Sequence, residues 1–192
     1  MSYWPERYKF KKKQKDFGKG LDGFIFNPRP HLITASALLD LVSCDWIEEL
    51  TALCLRMGAS FYGCLTYDGK IEWLPSHPSD MKLVQLLNQD QRREKGLGTA
   101  LGADSVTTLT RSLASKGFSV KIAPSPWVLG NADADLQYAL LSQWTKLFEE
   151  VPVRSRQEFG LWKKFRWEAV ADSTSYLKIG HQDIWSVHPD HS

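Results

Sequence analysis

The chain has 192 residues, with 24 Lys and Arg against 22 Asp and Glu, so its formal net charge at pH 7 is +2. This length suits one globular domain. The balanced charge removes the compositional argument for a dedicated nucleic-acid binder, and a hydrophobic share of 43% excludes wholesale disorder. No run of about 18 apolar residues is present to span a membrane. Since the start also lacks the apolar centre of a secretory signal, we expect a cytoplasmic protein.

The charge is unevenly distributed along the chain. Residues 1–30 contain eight Lys or Arg and three Asp or Glu, a net charge of +5, whereas residues 31–192 carry a net charge of −3. We therefore predict a basic N-terminal arm over residues 1–30 and an α/β domain over residues 31–192. Basic and aromatic residues interleave over residues 7–15, a composition that binds phosphates and stacks on bases. A solvated or strand-like segment is the favoured interpretation, so nucleic acid is not the favoured partner.

Cysteine and histidine give no sign of a metal site. Cys44, Cys54 and Cys64 are spaced by ten residues, which is not the spacing of a zinc clip. The five histidines are scattered and form no HExxH motif. We expect reduced cysteines, mostly buried, with inert packing as the role of Cys44 and Cys54, and no bound metal.

The first half of the domain alternates strand and helix. The apolar run 31–36 predicts a strand, and a helix follows with Asp45 as its N-cap, Glu48 three residues later and Gly58 at its end. Residues 60–67 predict a second strand, and Asp68-Gly69 predicts a hairpin turn into 70–73. Helical spacing of Met81, Val84 and Leu87 predicts a helix to about residue 93.

The second half continues the alternation after a glycine-rich stretch, 96–102. A helix is expected over 104–117, a strand over 118–123 that stops at Pro124 and Pro126, and a long helix over 131–151. Ser155 and Glu158 predict a capping box for a last helix. Residues 176–180 and 184–187 predict one interrupted strand. Strands separated by helices in this way indicate an α/β sheet with flanking helices.

Polar residues follow three of the predicted strands. In open α/β sheets ligands bind at the carboxyl ends of the strands. The candidates at those ends are Thr34, Ser36 and Asp40, then Tyr67 and Asp68, then Ser125 and Trp127. The Asp40 carboxylate suits a hydrogen bond from a substrate amine or a ribose hydroxyl. An equally weighted alternative is that Asp40 satisfies backbone amides in the turn before the helix.

A second group of candidates lies at the end of the second predicted helix. Asn88, Gln91, Arg92, Arg93 and Lys95 crowd a helix end that passes into the glycine-rich stretch. Guanidinium and ammonium groups clamp carboxylates or phosphates, and glycines let a ligand approach the backbone closely. The alternative is a cationic last turn that complements the helix dipole before a glycine stop.

Several separated segments, taken in order, resemble bacterial class I S-adenosylmethionine-dependent methyltransferases. They are LITASALLDLVS at 32–43, LTYDG at 65–69, QRREKGLG at 91–98, APSPW at 123–127 and GHQD at 180–183. The similarity covers residues 31–189 and corresponds to the family's fourth strand onward. It implies part of a Rossmann-like methyltransferase sheet with an antiparallel C-terminal strand.

The resemblance also implies a cofactor and site residues. S-adenosylmethionine is the expected cofactor, with Thr34, Ser36 and Asp40 as cofactor-binding residues. The expected acceptor side consists of Tyr67, Asn88, Gln91, Arg92, Arg93, Lys95 and Trp127. In the family, a glycine-rich loop after the first strand holds the methionine part and an acidic residue after the second strand holds the ribose. Both belong before residue 31, where this sequence has neither.

Three interpretations therefore stay open for a chain that carries only the acceptor-side half. It is part of a divided enzyme, an enzyme completed by a second chain or a second copy, or a remnant used for binding. In the last case it is a non-enzymatic interaction module. Its exposed sheet edge then pairs with another subunit, and its basic arm contacts RNA or an acidic protein.

Overall fold

The structure is a computed structural model, and it describes residues 20–21, 26–94 and 96–191, except the side chain of Arg154. The strands and helices in chain order are β1 Leu32–Ser36, α1 Cys44–Met57, β2 Ser60–Leu74, α2 Asp80–Gln91, α3 Ser105–Ser115, β3 Ser119–Pro124, β4 Trp127–Leu129, α4 Ala134–Trp144, α5 Val153–Ala171 and β5 Tyr176–Val187. Short 3₁₀ turns lie between them, at Leu39–Leu41, Gly102–Asp104, Asn131–Asp133, Thr145–Glu149 and Pro189–His191. No helix in the described part of the chain is long and apolar enough to cross a membrane.

All five strands form one mixed sheet in the order β1-β2-β5-β3, with β4 also paired to β5. The pair β1–β2 is parallel, and β5 is antiparallel to β2, β3 and β4. Because β3 pairs with residues 182–187 of β5 and β4 with residues 177–179, β3 and β4 together form one interrupted edge. The expected α/β class and antiparallel C-terminal strand are both present.

The predicted hairpin at Asp68-Gly69 is wrong. Residues Ser60–Leu74 form one continuous strand, β2, with an irregularity between Tyr67 and Ile71 where it pairs with β5. Gly69 adopts a φ of 85°, so the turn signal marks a β-bulge instead of a chain reversal. The strand continues because β5 offers backbone partners on both sides of the bulge. For the same reason β5 is itself continuous and not interrupted.

Two predicted helix starts also differ from the structure. Helix α1 is capped by Ser43, whose Oγ accepts the Trp46 N–H at 3.2 Å, and not by Asp45. Helix α5 begins at Val153, so Ser155 and Glu158 lie inside it and form no capping box. The end of α1 is as predicted, because Gly58 takes the left-handed conformation with a φ of 68°. The sequence analysis did not predict strand β4.

Buried side chains form two clusters. In the first, helices α1 and α3 pack on the sheet around Ile47, Leu109, Phe61 and Ile184. Leu21 also packs in this cluster and is 3% exposed, although the sequence analysis assigned it to the arm. Helices α2, α4 and α5 pack on β2 and β5 around aromatic side chains of the second cluster, including Tyr67, Trp73, Phe148, Phe159 and Trp162. Burial of this much apolar surface is the main stabilising contribution to the fold.

The basic segment 7–15 lies outside the described residues, so its suggested contact with nucleic acid stays a prediction.

Candidate functional site

A cavity of about 390 Å³ lies between the middle of β2 and β5 and the ends of α2 and α4, and Asp40 after β1 and Trp127 of β4 also line it. We call it the central cavity and define it by six lining side chains, Asp40, Tyr67, Gln91, Trp127, Trp144 and His181. Aliphatic side chains from α2, α4, β2 and β5 complete its walls. A volume of this size is typical of small-molecule sites, and the lining here is about equally polar and apolar.

Three residues that the sequence analysis chose from three different strand ends meet in this cavity. Asp40 follows β1, Tyr67 lies on β2, and Trp127 begins β4 just after β3. They meet because β1 and β3 end level with the middle of β2: Ser36 pairs with Cys64, and Pro124 pairs with the same β5 residue, Gln182, that pairs with Thr66.

Tyr67 is held in place by Asn88 of α2. The Tyr67 hydroxyl donates to Asn88 Oδ1 at 2.9 Å, and Asn88 Nδ2 donates to the Gly69 carbonyl oxygen at 2.9 Å. Asn88 was expected on the acceptor side, and the structure places it behind Tyr67 as a support. Burial raises the pKa of Tyr67, and the nearby Asp68 and Asp40 carboxylates raise it further. The phenol therefore keeps its proton across the physiological pH range.

His181 is a site residue that the sequence analysis did not select. The register of β2 and β5 pairs it with Tyr67, and its ring lies 5.0 Å from Trp127 and 6.4 Å from Tyr67 between centroids. Its Nδ1 lies 3.1 Å from the carbonyl oxygen of Ile179. Its position beside Tyr67 follows from strand pairing between distant parts of the chain, for which a single sequence carries no signal.

Trp144 was also missed as a lining residue. The sequence analysis assigned it to the apolar stripe of a long helix, and it does pack against Trp73 with ring centroids 5.8 Å apart. Because it stands at the end of α4, it also lines the central cavity. One side chain thus serves the core and the cavity wall.

Gln91 at the end of α2 also lines the central cavity. Its Oε1 atom is buried and has no hydrogen-bond partner among the described residues. A buried acceptor without a partner is costly unless a ligand or a water molecule supplies a donor. Asp90, its neighbour, lines the same cavity and forms an ion pair with Arg93 at 3.3 Å.

Arg92 and Arg93, the described residues of the predicted anion clamp, do not converge on one site. Arg92 pairs with Asp104 at 2.7 Å and lines a different pocket beside Ser43 and Gly98. Arg93 pairs with Glu150 at 2.6 Å as well as with Asp90. Both guanidinium groups are therefore used in ion pairs between elements of the fold, and Lys95 lies outside the described residues.

The expected cofactor-binding residues are also separated. Thr34 faces a groove of about 300 Å³ beside β1, which we call the edge groove, lined mainly by apolar side chains such as Phe26, Leu32 and Trp46. Ser36 is exposed at the end of β1, and Asp40 lines the central cavity instead. S-adenosylmethionine carries a charged amino-acid tail and two ribose hydroxyls, which need polar partners. The described residues near Thr34 do not provide them, so this part of the chain alone does not fit the cofactor.

The three cysteines differ in exposure, with Cys44 exposed, Cys54 buried and Cys64 half-buried. Cys44 begins α1 and is exposed, which corrects the expectation that its role is inert packing. Cys54 is buried, and this burial raises the pKa of its thiol to about 12. All three cysteines are free. Within residues 20–21, 26–94 and 96–191, no group of three or more His, Cys, Asp or Glu side chains is arranged to hold a metal ion.

Comparison with models of known protein families gives no match, and no curated protein sequence matches the chain significantly.

Proposed function

We propose that this chain forms the acceptor-binding part of an S-adenosylmethionine-dependent methyltransferase, and that another polypeptide segment supplies the rest of the cofactor site. The observation that carries the proposal is the convergence of Asp40, Tyr67 and Trp127 on the central cavity. The resemblance drawn from the sequence assigns Tyr67 and Trp127 to the methyl acceptor and Asp40 to the cofactor beside it. The cavity is where such an acceptor fits.

The arrangement of the sheet supports the same proposal. In the family that the sequence resembles, the last strand is antiparallel within an otherwise parallel sheet. Here β5 lies between β2 on one side and β3 and β4 on the other, and is antiparallel to all of them. The observation agrees with a sheet that begins at the family's fourth strand.

Within this proposal the chain's own residues bind and orient the acceptor. Trp127, Trp144 and Tyr67 surround it with aromatic surface, and the hydrogen bond that the Tyr67 hydroxyl donates to Asn88 Oδ1 fixes the position of the phenol. S-adenosylmethionine, when bound, supplies the methyl group. Positioning of this kind lowers the barrier by avoiding the entropy cost of bringing two molecules together.

The test is co-expression of this chain with the polypeptide encoded immediately upstream of it. We expect that region to encode a strand, a glycine-rich loop and a helix, and the resulting complex to bind S-adenosylmethionine in calorimetry. The chain alone, at millimolar ligand, is the control and is expected to give no heat and no thermal stabilisation. Absence of that pattern upstream, or of binding by the complex, contradicts the proposal.

A second candidate function is association through β1, and a specific observation favours it. Among the described strands β1 pairs only with β2, so no described strand covers its other edge, which lies beside the edge groove. Leu32 and Phe26 there are 42% and 38% exposed. Open edges with nearby apolar surface pair with further strands. The occupant in this alternative is a second copy of the chain, whose β1 extends the sheet across the interface.

Thr34 provides a selective test of this association. The Ala37 N–H donates to the Cys64 carbonyl oxygen of β2, so the alternation of a parallel ladder directs the Thr34 N–H to the open edge. Thr34→Pro removes that donor and leaves the β1–β2 bonds intact, whereas Thr34→Val retains it. Light scattering is expected to show a dimer for the wild-type chain and Thr34→Val and a monomer for Thr34→Pro. A monomeric wild-type chain, or an unchanged dimer in Thr34→Pro, contradicts the alternative.

A further inference from the structure

One side of the sheet is left open over part of its length. Phe61 and Ile184 point to the side that α1 and α3 cover. The residues that follow them, Tyr62 and Trp185, therefore point to the other side. Helices α2, α4 and α5 lie on that other side, but they pack around residues such as Leu177. Leu177 is about 27 Å from Trp185 along β5. Trp185 is 41% exposed as a result, although β5 is a central strand.

The strand register lines up four side chains across this open area. Tyr62 of β2 pairs with Thr34 of β1 and with Trp185 of β5, and Trp185 pairs in turn with Lys121 of β3. Because paired residues point to the same side of a sheet, the four side chains form one row across four strands. We call it the aromatic row. Its length is three strand spacings, about 14 Å. Thr34, Trp185 and Lys121 are exposed, and Tyr62 is half-buried.

The two rings of the aromatic row are neighbours, and one of them is held in place. The ring centroids of Tyr62 and Trp185 are 6.0 Å apart. The Tyr62 hydroxyl donates to Asp183 Oδ2 at 2.7 Å. Asp183 Oδ1 accepts from the Ser125 hydroxyl at 2.5 Å and from the Leu65 N–H at 3.2 Å. These bonds occupy the carboxylate beside the row. They also fix the Tyr62 ring, so a ligand that packs on it loses little side-chain entropy.

Cationic groups are available at both ends of the aromatic row. Lys121 stands at one end, on β3. At the other end, Thr34 lines the edge groove together with Leu21. The basic segment 7–15 contains six Lys or Arg and no Asp or Glu, and it ends six residues before Leu21. Six residues extend over at most about 20 Å. Since the row is shorter than this distance, the segment is joined to the fold within reach of the row.

We infer that the aromatic row binds single-stranded nucleic acid. Unpaired bases have flat apolar faces that stack on aromatic side chains, and an open sheet presents such side chains side by side. The phosphates that join the bases attract the cations at the two ends of the row. A protein helix suits the row less well, because Thr34 and Lys121 are polar and a helix packed on a sheet needs an apolar surface.

The composition of the whole chain does not favour this partner, because its charges almost balance. The fold favours it by bringing Tyr62 and Trp185 together from distant parts of the chain. The inference does not depend on the proposed function, since no member of the aromatic row lines the central cavity.

Fluorescence anisotropy of a labelled oligouridine with the full chain tests the inference. Trp185→Ala is expected to weaken binding by about tenfold, because stacking on the indole is lost. Trp185→Phe keeps an aromatic ring and is expected to lose much less. Tyr176→Ala is the matched control, because Tyr176 is 39% exposed on the same strand but points to the opposite side of the sheet. No binding of oligouridine at low salt, or equal losses in Trp185→Ala and Tyr176→Ala, overturns the inference.

A duplex of the same length and a charge variant separate stacking from attraction by charge alone. The duplex is expected to bind more weakly, because its bases are already stacked on each other. Lys121→Gln is expected to reduce the slope of log affinity against log salt by about 0.7, the value for one phosphate contact on a single strand. Equal binding of duplex and oligouridine that neither Trp185→Ala nor Lys121→Gln weakens belongs to the basic segment alone and overturns the inference.

The cysteines give a second readout that needs no substitution. Cys64 lies two residues after Tyr62 on the same side of β2 and is half-buried, whereas Cys44 at the start of α1 is exposed. Saturating oligouridine is expected to slow maleimide labelling of Cys64 and to leave labelling of Cys44 unchanged. Unchanged labelling of Cys64 overturns the inference. Slower labelling of Cys64 at higher protein concentration, without oligouridine, shows that a second copy covers the row and also overturns it.

Discussion

The Tyr67 hydroxyl lies 2.9 Å from Asn88 Oδ1, and this contact ties β2 to α2 at the wall of the central cavity. The same asparagine bonds the Gly69 carbonyl oxygen at the bulge of β2. A single side chain therefore links an irregular strand, a helix end and a candidate ligand-binding phenol.

Removing this link should reduce stability. Asn88→Ala leaves the Gly69 carbonyl and the Tyr67 hydroxyl without their partner, and we expect a loss of about 1–3 kcal/mol in the free energy of unfolding. Urea denaturation measures it. Tyr67→Phe combined with Asn88→Ala completes a double-mutant cycle, and a coupling energy near zero would contradict a direct bond between the two side chains.

Asp80 and Arg166 form the second testable contact. The Arg166 side chain is 1% exposed and donates hydrogen bonds to Asp80 and to the Pro75 carbonyl oxygen. Its guanidinium group lies over the Trp73 ring. Trp162 Nε1 also donates to Asp80, at 2.7 Å. Burial lowers the pKa of Arg166, which reflects the cost of holding the charge there. Arg166→Met is expected to lower the free energy of unfolding by about 3–5 kcal/mol, because it leaves Asp80 half-paired.

The exposed pair Lys164–Glu168 on the same helix is the control for this contact. Glu168→Gln is expected to change the free energy of unfolding by less than about 0.5 kcal/mol. Equal effects of the two substitutions in thermal denaturation would contradict the importance of the buried pair.

Asp183 predicts how stability depends on pH. Burial opposes ionisation of this carboxyl, but hydrogen bonds from the Ser125 and Tyr62 hydroxyls and the Leu65 amide lower its pKa overall. A carboxyl with a lowered pKa in the folded state stabilises the protein above its unfolded pKa, about 3.9, and the contribution is lost as the pH falls through the folded value. Asp183→Asn is expected to lower the free energy of unfolding at pH 7.

The same substitution should also flatten the pH dependence of unfolding below pH ~4. Guanidinium denaturation at a series of pH values checks both effects. Asp190→Asn, at an exposed carboxyl beside the last turn, is the matched comparison. Equal pH profiles for wild type and Asp183→Asn would show that this carboxyl makes no such contribution.

A side chain added at Gly180 is expected to clash with a neighbouring residue. A Cβ atom at this position would overlap the Asp68 carboxylate, which also accepts the Lys70 N–H beside the bulge. Gly180→Ala is therefore expected to destabilise the protein by about 1–3 kcal/mol, measured by thermal unfolding. In an Asp68→Ala background the overlap disappears, so the cost of Gly180→Ala should become much smaller. If Gly180→Ala destabilises the protein equally in the Asp68→Ala background, the steric strain does not come from Asp68.

Local features of the sequence predicted most of the helices and one part of the site. Apolar spacing identified α2, α3 and α4, and Gly58 marked the end of α1, because these signals act within a few residues. The long helix expected over 131–151 is shorter, since only Ala134–Trp144 is α-helical and 3₁₀ turns flank it. The rule that ligands bind at strand ends selected Asp40, Tyr67 and Trp127, which do share a cavity. Each of these predictions depends only on residues within about one helix or strand of the chain.

Contacts between distant segments of the chain determine the remaining features of the fold and of the site. Asp68-Gly69 reads as a hairpin turn, yet it becomes a bulge because β5 pairs with β2 on both sides of it. That pairing, between segments far apart in the sequence, also brings His181 to Tyr67. Arg92 and Arg93 look like an anion clamp until the fold gives them Asp104 and Glu150 as partners. Contacts of this kind depend on which distant strands and helices meet, and no local propensity encodes that choice.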